Sequence, residues 1–388
     1  MMITFLFSSD EGDIPVIPDD LKRPFLISPS TPHPFLTLGD YFQSIEECVI
    51  RNDGIRLREG IKMASGKKIR FSDIHRLLIR SEKHGALYHI VSLEMNAGDN
   101  RFKFALNIAL DRRGRNTLMN EFQVISRLNE QRKLPYLPRA FCMDETNCGR
   151  GPGTEILTMA FLEWFEGYHE WHFSRDERNR RNRVKVWDQG KGKSYLSDRE
   201  SYEIFRQAAR ILTLYYDTGS YHRIYPWHNS AGDFIVKIMD ERVDVRLTTA
   251  RDYSPFITFT EPDRINPLMS LVYFFLDLTI GMRLDRLDGL GDVVWADEYA
   301  LNGTITGFFE GLSEKGVEDE FAAKAYPELL ALFKCFGREE MIKLFNRLMA
   351  FYKREDPDYY RVIESHLFTH VDELKFFTES LRISPCPN

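Results

Sequence analysis

Two kinds of hydrophobic patterning divide this 388-residue chain, and they stay apart. Residues 69 to 110 read IRFSDIHRLLIRSEKHGALYHIVSLEMNAGDNRFKFALNIAL. Within them, ALYHIVSLEM and RFKFALNIAL alternate apolar and polar residues, as half-buried strands do. NAGDN between them supplies a turn, so the pair reads as a hairpin with a five-residue connection. Beyond about residue 266 the pattern is helical, in PLMSLVYFFLDLTI, EEMIKLFNRLMAFYKRE and YYRVIESHLFTHVDELKFFTESL. Strands gathered toward one end and helices toward the other exclude an alternating βαβ chain and predict an α+β protein.

The segments between these runs complete the order. Leu118, Phe122, Ile125 and Leu128 share one face of a helix that follows DRRGRN. LPYLPRAFCMDE and TEILTMAFLEWF have strand character. SYEIFRQAARILTLYYDTG reads as a helix stopped by glycine. FIVKIM and VDVRLTTA are two short strands joined by a turn at Asp240 and Glu241. The prolines within residues 1–35 disfavour both a helix and a central strand, so this segment is expected to be an irregular surface arm. Residues 38–60 carry mixed helical signals and a turn at NDG. The expected organisation is an arm and accessory segment over 1–68, a β-rich part over 69–165 and a helical part over 166–388.

A net charge of -6 gives no reason to expect general nucleic-acid binding. The local exception is the basic run RDERNRRNRVKVWDQGKGK, residues 175–193. It reads as a solvated insertion loop, or as a site for an anionic ligand or protein partner. Five irregularly spaced cysteines make neither a disulfide framework nor a zinc pattern and fit reduced thiols in a cytoplasmic protein. MMITFLFSSDEGD lacks a basic leader, and its apolar run is too short for a signal peptide. The longest apolar run, residues 268–282, is shorter than a membrane span and carries Asp277, so it reads as a buried helix.

The succession of elements over residues 75–345 resembles the protein-kinase-like superfamily, including its aminoglycoside-phosphotransferase branch. SEKHGALYHIVSL is similar to a phosphate-covering hairpin, with Gly85 as its glycine. FALN lies where that family has a strand ending in a lysine, and NEFQVISRL where it has the next helix, with Glu121 as the acid that pairs with the lysine. ILTMAFLEWFEG resembles the hinge strand and places Glu163 at the cofactor. The resemblance implies a two-lobed fold, with a β-rich N-terminal lobe and a mainly helical C-terminal lobe. It also implies ATP and Mg²⁺ as cofactors.

The chemistry such a site needs is altered in this sequence. A phosphoryl-transfer site neutralises a triphosphate with metal and lysine and orients a hydroxyl. Asn107 stands at the lysine position and carries no charge. Lys103, on the same strand face, lies about 13 Å away along the strand. The stretch YHRIYPWHNSAGDFIVKIMD, residues 221–240, fits the catalytic loop in two registers. In one, His222, Arg223 and Asn229 match and Ile224 replaces the catalytic aspartate. In the other, preferred because a strand follows Asp233 at once, His228 replaces that aspartate and Asp233 replaces the metal-binding asparagine. A neutral His228 suits a general base, and Asp233 suits Mg²⁺. Both are expected to face a cleft. Asp252 is the remaining candidate for catalysis and metal, though strand register puts the family's metal aspartate nearer Thr249. Arg251 beside it opposes a metal ion and suits a phosphate or carboxylate.

In FLEWFEGYHEWHF, Glu166, His169 and His172 would share a helix face and make a metal site. Packing of the aromatic residues and stacking of a planar ligand are the competing readings. The substitutions together imply a kinase-like protein with a degenerate active site, a nucleotide- or partner-binding pseudokinase. The alternative is an active ATP-dependent phosphotransferase with atypical catalytic residues.

Overall fold

The computed structural model of the chain describes residues 1–9, 11–28, 31–85, 87–149, 153–188, 192–229, 232–240, 242–255 and 266–381. They fall into two compact units, one spanning Met1–Glu166 and one beginning at Gly167. The N-terminal unit is mainly strand and the C-terminal unit mainly helix, so the α+β expectation holds.

The first unit contains β1 (Met2–Ser9), β2 (Gly12–Pro15), β3 (Pro24–Ser28), β4 (Thr31–Thr37), α1 (Leu38–Ser65), β5 (Ile74–His84), β6 (His89–Ala97), β7 (Asn100–Ala109), α2 (Arg112–Arg132), β8 (Ala140–Cys148) and β9 (Glu155–Glu163). Seven of the strands form one sheet in the order β2-β1-β5-β6-β7-β9-β8, with β1 parallel to β5 and every other pair antiparallel. The N-terminal segment is therefore no surface arm. β1 is proline-free and lies inside the sheet, while Pro24, Pro32 and Pro34 sit on the separate β3–β4 ribbon, where few ladder bonds are demanded of them. Phe25 and Leu36 of that ribbon belong to the core.

The β6–β7 hairpin is tighter than its sequence suggests. Ala97 pairs with Asn100, so Asn96 and Asn100 join the ladder and the turn shrinks to two residues, with Gly98 at φ +57°. The NDG turn is present as a break inside α1. Asn52, Asp53 and Gly54 all adopt left-handed angles there. A capping box between Thr37 and Asp40 starts that helix.

The second unit contains β10 (Glu170–Asp176), β11 (Arg181–Asp188), β12 (Gly192–Tyr195), α3 (Asp198–Tyr215), β13 (His222–Ile224), β14 (Phe234–Met239), β15 (Arg242–Leu247), β16 (Tyr253–Pro255), α4 (Pro267–Gly281), β17 (Leu284–Arg286), β18 (Val293–Trp295), α5 (Glu298–Lys315), α6 (Glu320–Cys335), α7 (Arg338–Glu355) and α8 (Pro357–Ser380). β13 pairs with β16, β14 with β15, and β17 with β18, all antiparallel. Three expectations are corrected here. The basic run is no loop over residues 181–188, where β11 is the central strand of a β10-β11-β12 sheet. α3 ends at Tyr215, where Tyr216 turns extended, before the glycine at 219 is reached. The region after residue 266 carries the β17–β18 hairpin among its helices.

α4 is the buried helix expected of residues 268–282, with Ser270 through Ile280 all buried. Among the described residues no helix is long and apolar enough to cross a membrane. α3 and α5 approach closely because Gly303, Gly307 and Gly311 recur at four-residue spacing along α5. A Cβ on Gly307 would lie 1.9 Å from the Arg206 carbonyl oxygen of α3, and one on Gly303 2.6 Å from that of Tyr202.

Candidate functional site

The loop from Tyr225 to Asp233 joins β13 to β14, and β14 begins at Phe234, immediately after Asp233. This agrees with the second register's premise. Ile224, the aspartate substitute of the first register, is 2% exposed and pairs with Tyr253 as an ordinary core strand residue.

Asp233 is 2% exposed. Its Oδ2 accepts from the His228 backbone N–H at 2.8 Å, which closes the loop on itself. Both carboxylate oxygens also meet Arg251: Nη1 donates to Oδ2 at 2.6 Å and Nη2 to Oδ1 at 2.6 Å. The geometry is a fork-to-fork pair, the strongest arrangement open to these two side chains. Arg251 Nη1 further donates to the Pro226 carbonyl at 3.4 Å. The sequence allowed Arg251 a carboxylate partner, and that carboxylate is the one proposed for the metal. Asp233 therefore presents no open carboxylate to a cleft.

His228 packs beside Tyr359 at the start of α8, with ring centroids 6.4 Å apart. Burial pulls its pKa below 6.5, only partly offset by Asp233, so the imidazole is neutral at pH 7. Asn229 is 1% exposed and donates to the Met282 and Leu284 carbonyls at 3.2 and 3.3 Å. Its amide oxygen, and the Thr249 hydroxyl, are buried with no hydrogen-bond partner among the described residues. Asp252 borders the loop, its backbone carbonyl accepting from the Tyr225 amide at 3.1 Å, but its side chain turns to its own segment. It is exposed, accepts from the Tyr253 amide at 2.8 Å and the Ser254 hydroxyl at 2.7 Å, and so shapes the entry to β16.

His222 and Arg223 have structural partners. The His222 ring lies 2.7 Å from the Ser220 hydroxyl. Arg223 forms a buried ion pair with Asp277 of α4, whose other oxygen accepts from the Tyr352 hydroxyl of α7 at 2.9 Å. Neither Asp277 nor Tyr352 was placed at this loop by sequence reasoning, and with separations of 54 and 75 residues no local pattern links them.

In the first unit, Gly85 makes a hairpin turn. Its amide donates to the Tyr88 carbonyl at 3.1 Å. Asn107 is 7% exposed on β7, between Ile90 and Ala160 of the flanking strands. Lys103 Nζ lies 3.7 Å from Glu82 and 3.9 Å from the centre of the Trp164 ring, held at its own end of β7 rather than near Asn107. Glu121 is 1% exposed and accepts from the Tyr88 hydroxyl, where the resemblance implied a lysine partner. Glu163 pairs with Arg139 at 2.8 Å.

The aromatic stretch does not form a helix. Glu170 onward is β10, and side chains three apart on an extended chain alternate across it. His169 faces Asp188 at 3.6 Å and His172 faces Glu170 at 3.6 Å, while Trp171 is fully buried in the core. Among the described residues no group of three or more His, Cys, Asp and Glu side chains is placed to hold a metal ion.

Comparison of the chain with protein-family models gives no match, and neither does comparison with curated protein sequences.

Proposed function

We propose that this protein is a kinase-like binding module whose phosphotransfer site is degenerate, a pseudokinase that recognises a nucleotide or partner without turning it over. One observation carries the reading. The Asp233 carboxylate, the expected ligand for Mg²⁺, has both oxygens engaged by the Arg251 guanidinium. A fixed positive group occupies the place where a phosphotransferase needs an exchangeable cation. Supporting it, the lysine position is the uncharged Asn107, and Glu121 is taken by Tyr88. Support also comes from the order of elements on which the resemblance rests: hairpin β5–β6, strand β7, helix α2, strand β9, helix α3, the 225–233 loop and hairpin β14–β15.

The test is transfer and release of the γ-phosphate from ATP with Mg²⁺ or Mn²⁺ present. The proposal expects neither above the protein-free rate. Turnover that His228→Ala abolishes would establish the alternative, an atypical active phosphotransferase. That alternative draws on the neutral, partly buried His228 ring, which is in the protonation state a general base requires.

A further inference from the structure

The basic run contributes β11 and the start of β12 to a surface of alternating cations and rings. On β11, Lys185 pairs with Tyr195 of β12 and Trp187 pairs with Lys193. Residues directly opposed in a ladder share a face, and alternate residues along a strand do too. Arg181, Arg183, Lys185, Trp187, Lys193 and Tyr195 therefore stand on one side of the sheet. The reverse side is anchored. Val184 and Val186 are buried there with Trp171, whose ring meets Phe205 of α3 at 5.6 Å.

Cations and rings interleave on the β11–β12 part of this side, whereas its β10 part carries His172, Ser174 and Asp176, all buried, with the His172 ring 4.6 Å from that of Trp187. Lys193 Nζ lies 4.2 Å above the Trp187 ring, and Lys185 and Arg183 lie 5.1 and 5.3 Å from the Tyr195 ring. Arg178 and Arg180 are exposed in the turn between β10 and β11 and extend the positive charge to its tip. Of the acids beside this face, Asp176 is engaged by Arg183 at 2.8 Å and Asp198 by Arg181 at 2.6 Å, while Glu170 opposes Trp187 from β10 and Glu177 is exposed in the turn. In a chain of net charge -6 this is a local reversal of sign.

We infer that this face of β11 and β12 docks single-stranded nucleic acid. An acidic protein segment would be served by cations alone. Cations alternating with two aromatic faces match a polymer in which phosphates alternate with planar bases, stacking on rings while its backbone follows the positive groove. Stacking would displace the Lys193 and Lys185 side chains from the rings toward phosphate oxygens.

The test is fluorescence anisotropy of a labelled oligo-dT of about 15 nucleotides, near the site size of such surfaces. It is run without ATP, so its outcome is separate from that of the kinase-like reading. Binding is expected, falling steeply between about 50 and 200 mM salt as counterion release requires. Replacing Arg178, Arg180 and Lys193 together by alanine should weaken it at least about tenfold, with thermal unfolding unchanged. Tyr195→Leu should weaken the oligonucleotide about tenfold while leaving poly-L-glutamate binding as it was. Absence of binding at the lower salt would overturn the inference, as would equal binding by the triple variant. A Tyr195→Leu protein that binds the oligonucleotide as well as the native chain would assign the face to acidic proteins instead.

Discussion

Arg251 and Asp233 meet through two contacts of 2.6 Å, with the carboxylate 2% exposed and its Oδ2 also receiving the His228 amide at 2.8 Å. The pair links the 225–233 loop to the segment that follows β15, and it determines how the neighbouring chemistry is read. Removing one member of a buried pair leaves the other charged and uncompensated. Arg251→Ala is expected to destabilise the protein by about 3–5 kcal/mol in denaturant unfolding. Removing both members should cost much less than the sum of the single changes, because they act as one unit. Additive losses from Arg251→Ala and Asp233→Ala would show that the two side chains do not depend on each other.

The contact of α3 with α5 makes a sharper packing prediction. Gly307→Ala places a methyl carbon against the Arg206 carbonyl, where 1.9 Å of space cannot be recovered by a side-chain rotation. The helices must separate, at about 3 kcal/mol, the upper end of overpacking costs. Gly303→Ala, with 2.6 Å, should cost less. The melting temperatures of the two variants give the comparison directly.

His89 supplies a pH dependence. Its ring is enclosed by Phe25 at 4.7 Å, Tyr41 at 5.6 Å and His84 at 3.7 Å. Burial, and then the neighbouring His84, pull its pKa down to about 3. The folded value lies below the unfolded value of about 6.5, so the unfolded state binds the proton first. The ring's contribution is intact above pH 6.5 and is lost progressively as pH falls from there toward 3. At about 1.4 kcal/mol per unit the loss reaches a few kcal/mol. Urea unfolding at a series of pH values should show this acid slope, and His89→Phe should flatten it.

Where the patterning was regular, the fold was legible in the sequence. The alternation through β6 and β7, the α2 face and the apolar α4 all formed as their periods required. Residues 1–35 were misread because their prolines were counted for the whole segment, whereas β1 contains none and gains its place from parallel pairing with β5, more than 60 residues away. The basic run looked like a loop because alternate cations hid the buried Val184 and Val186 between them. At the candidate site, the loop and the strand that follows Asp233 were visible, but the partners were not. Arg251 for Asp233 was open from the residue types, whereas Asp277 for Arg223 and Tyr359 for His228 come from distant helices. Gly303, Gly307 and Gly311 did leave a readable signal, a glycine at every fourth position, which marks a close helix contact.

Thermal unfolding of the native protein with ATP, titrated with Mg²⁺, asks whether an exchangeable metal serves Asp233. A ligand that binds only the folded state raises the melting temperature by mass action. Any rise produced by ATP is expected to be the same with Mg²⁺ and with chelator, because Arg251 already holds Asp233. A rise that appears only when ATP and Mg²⁺ are present together, and that Asp233→Asn removes, would contradict that expectation.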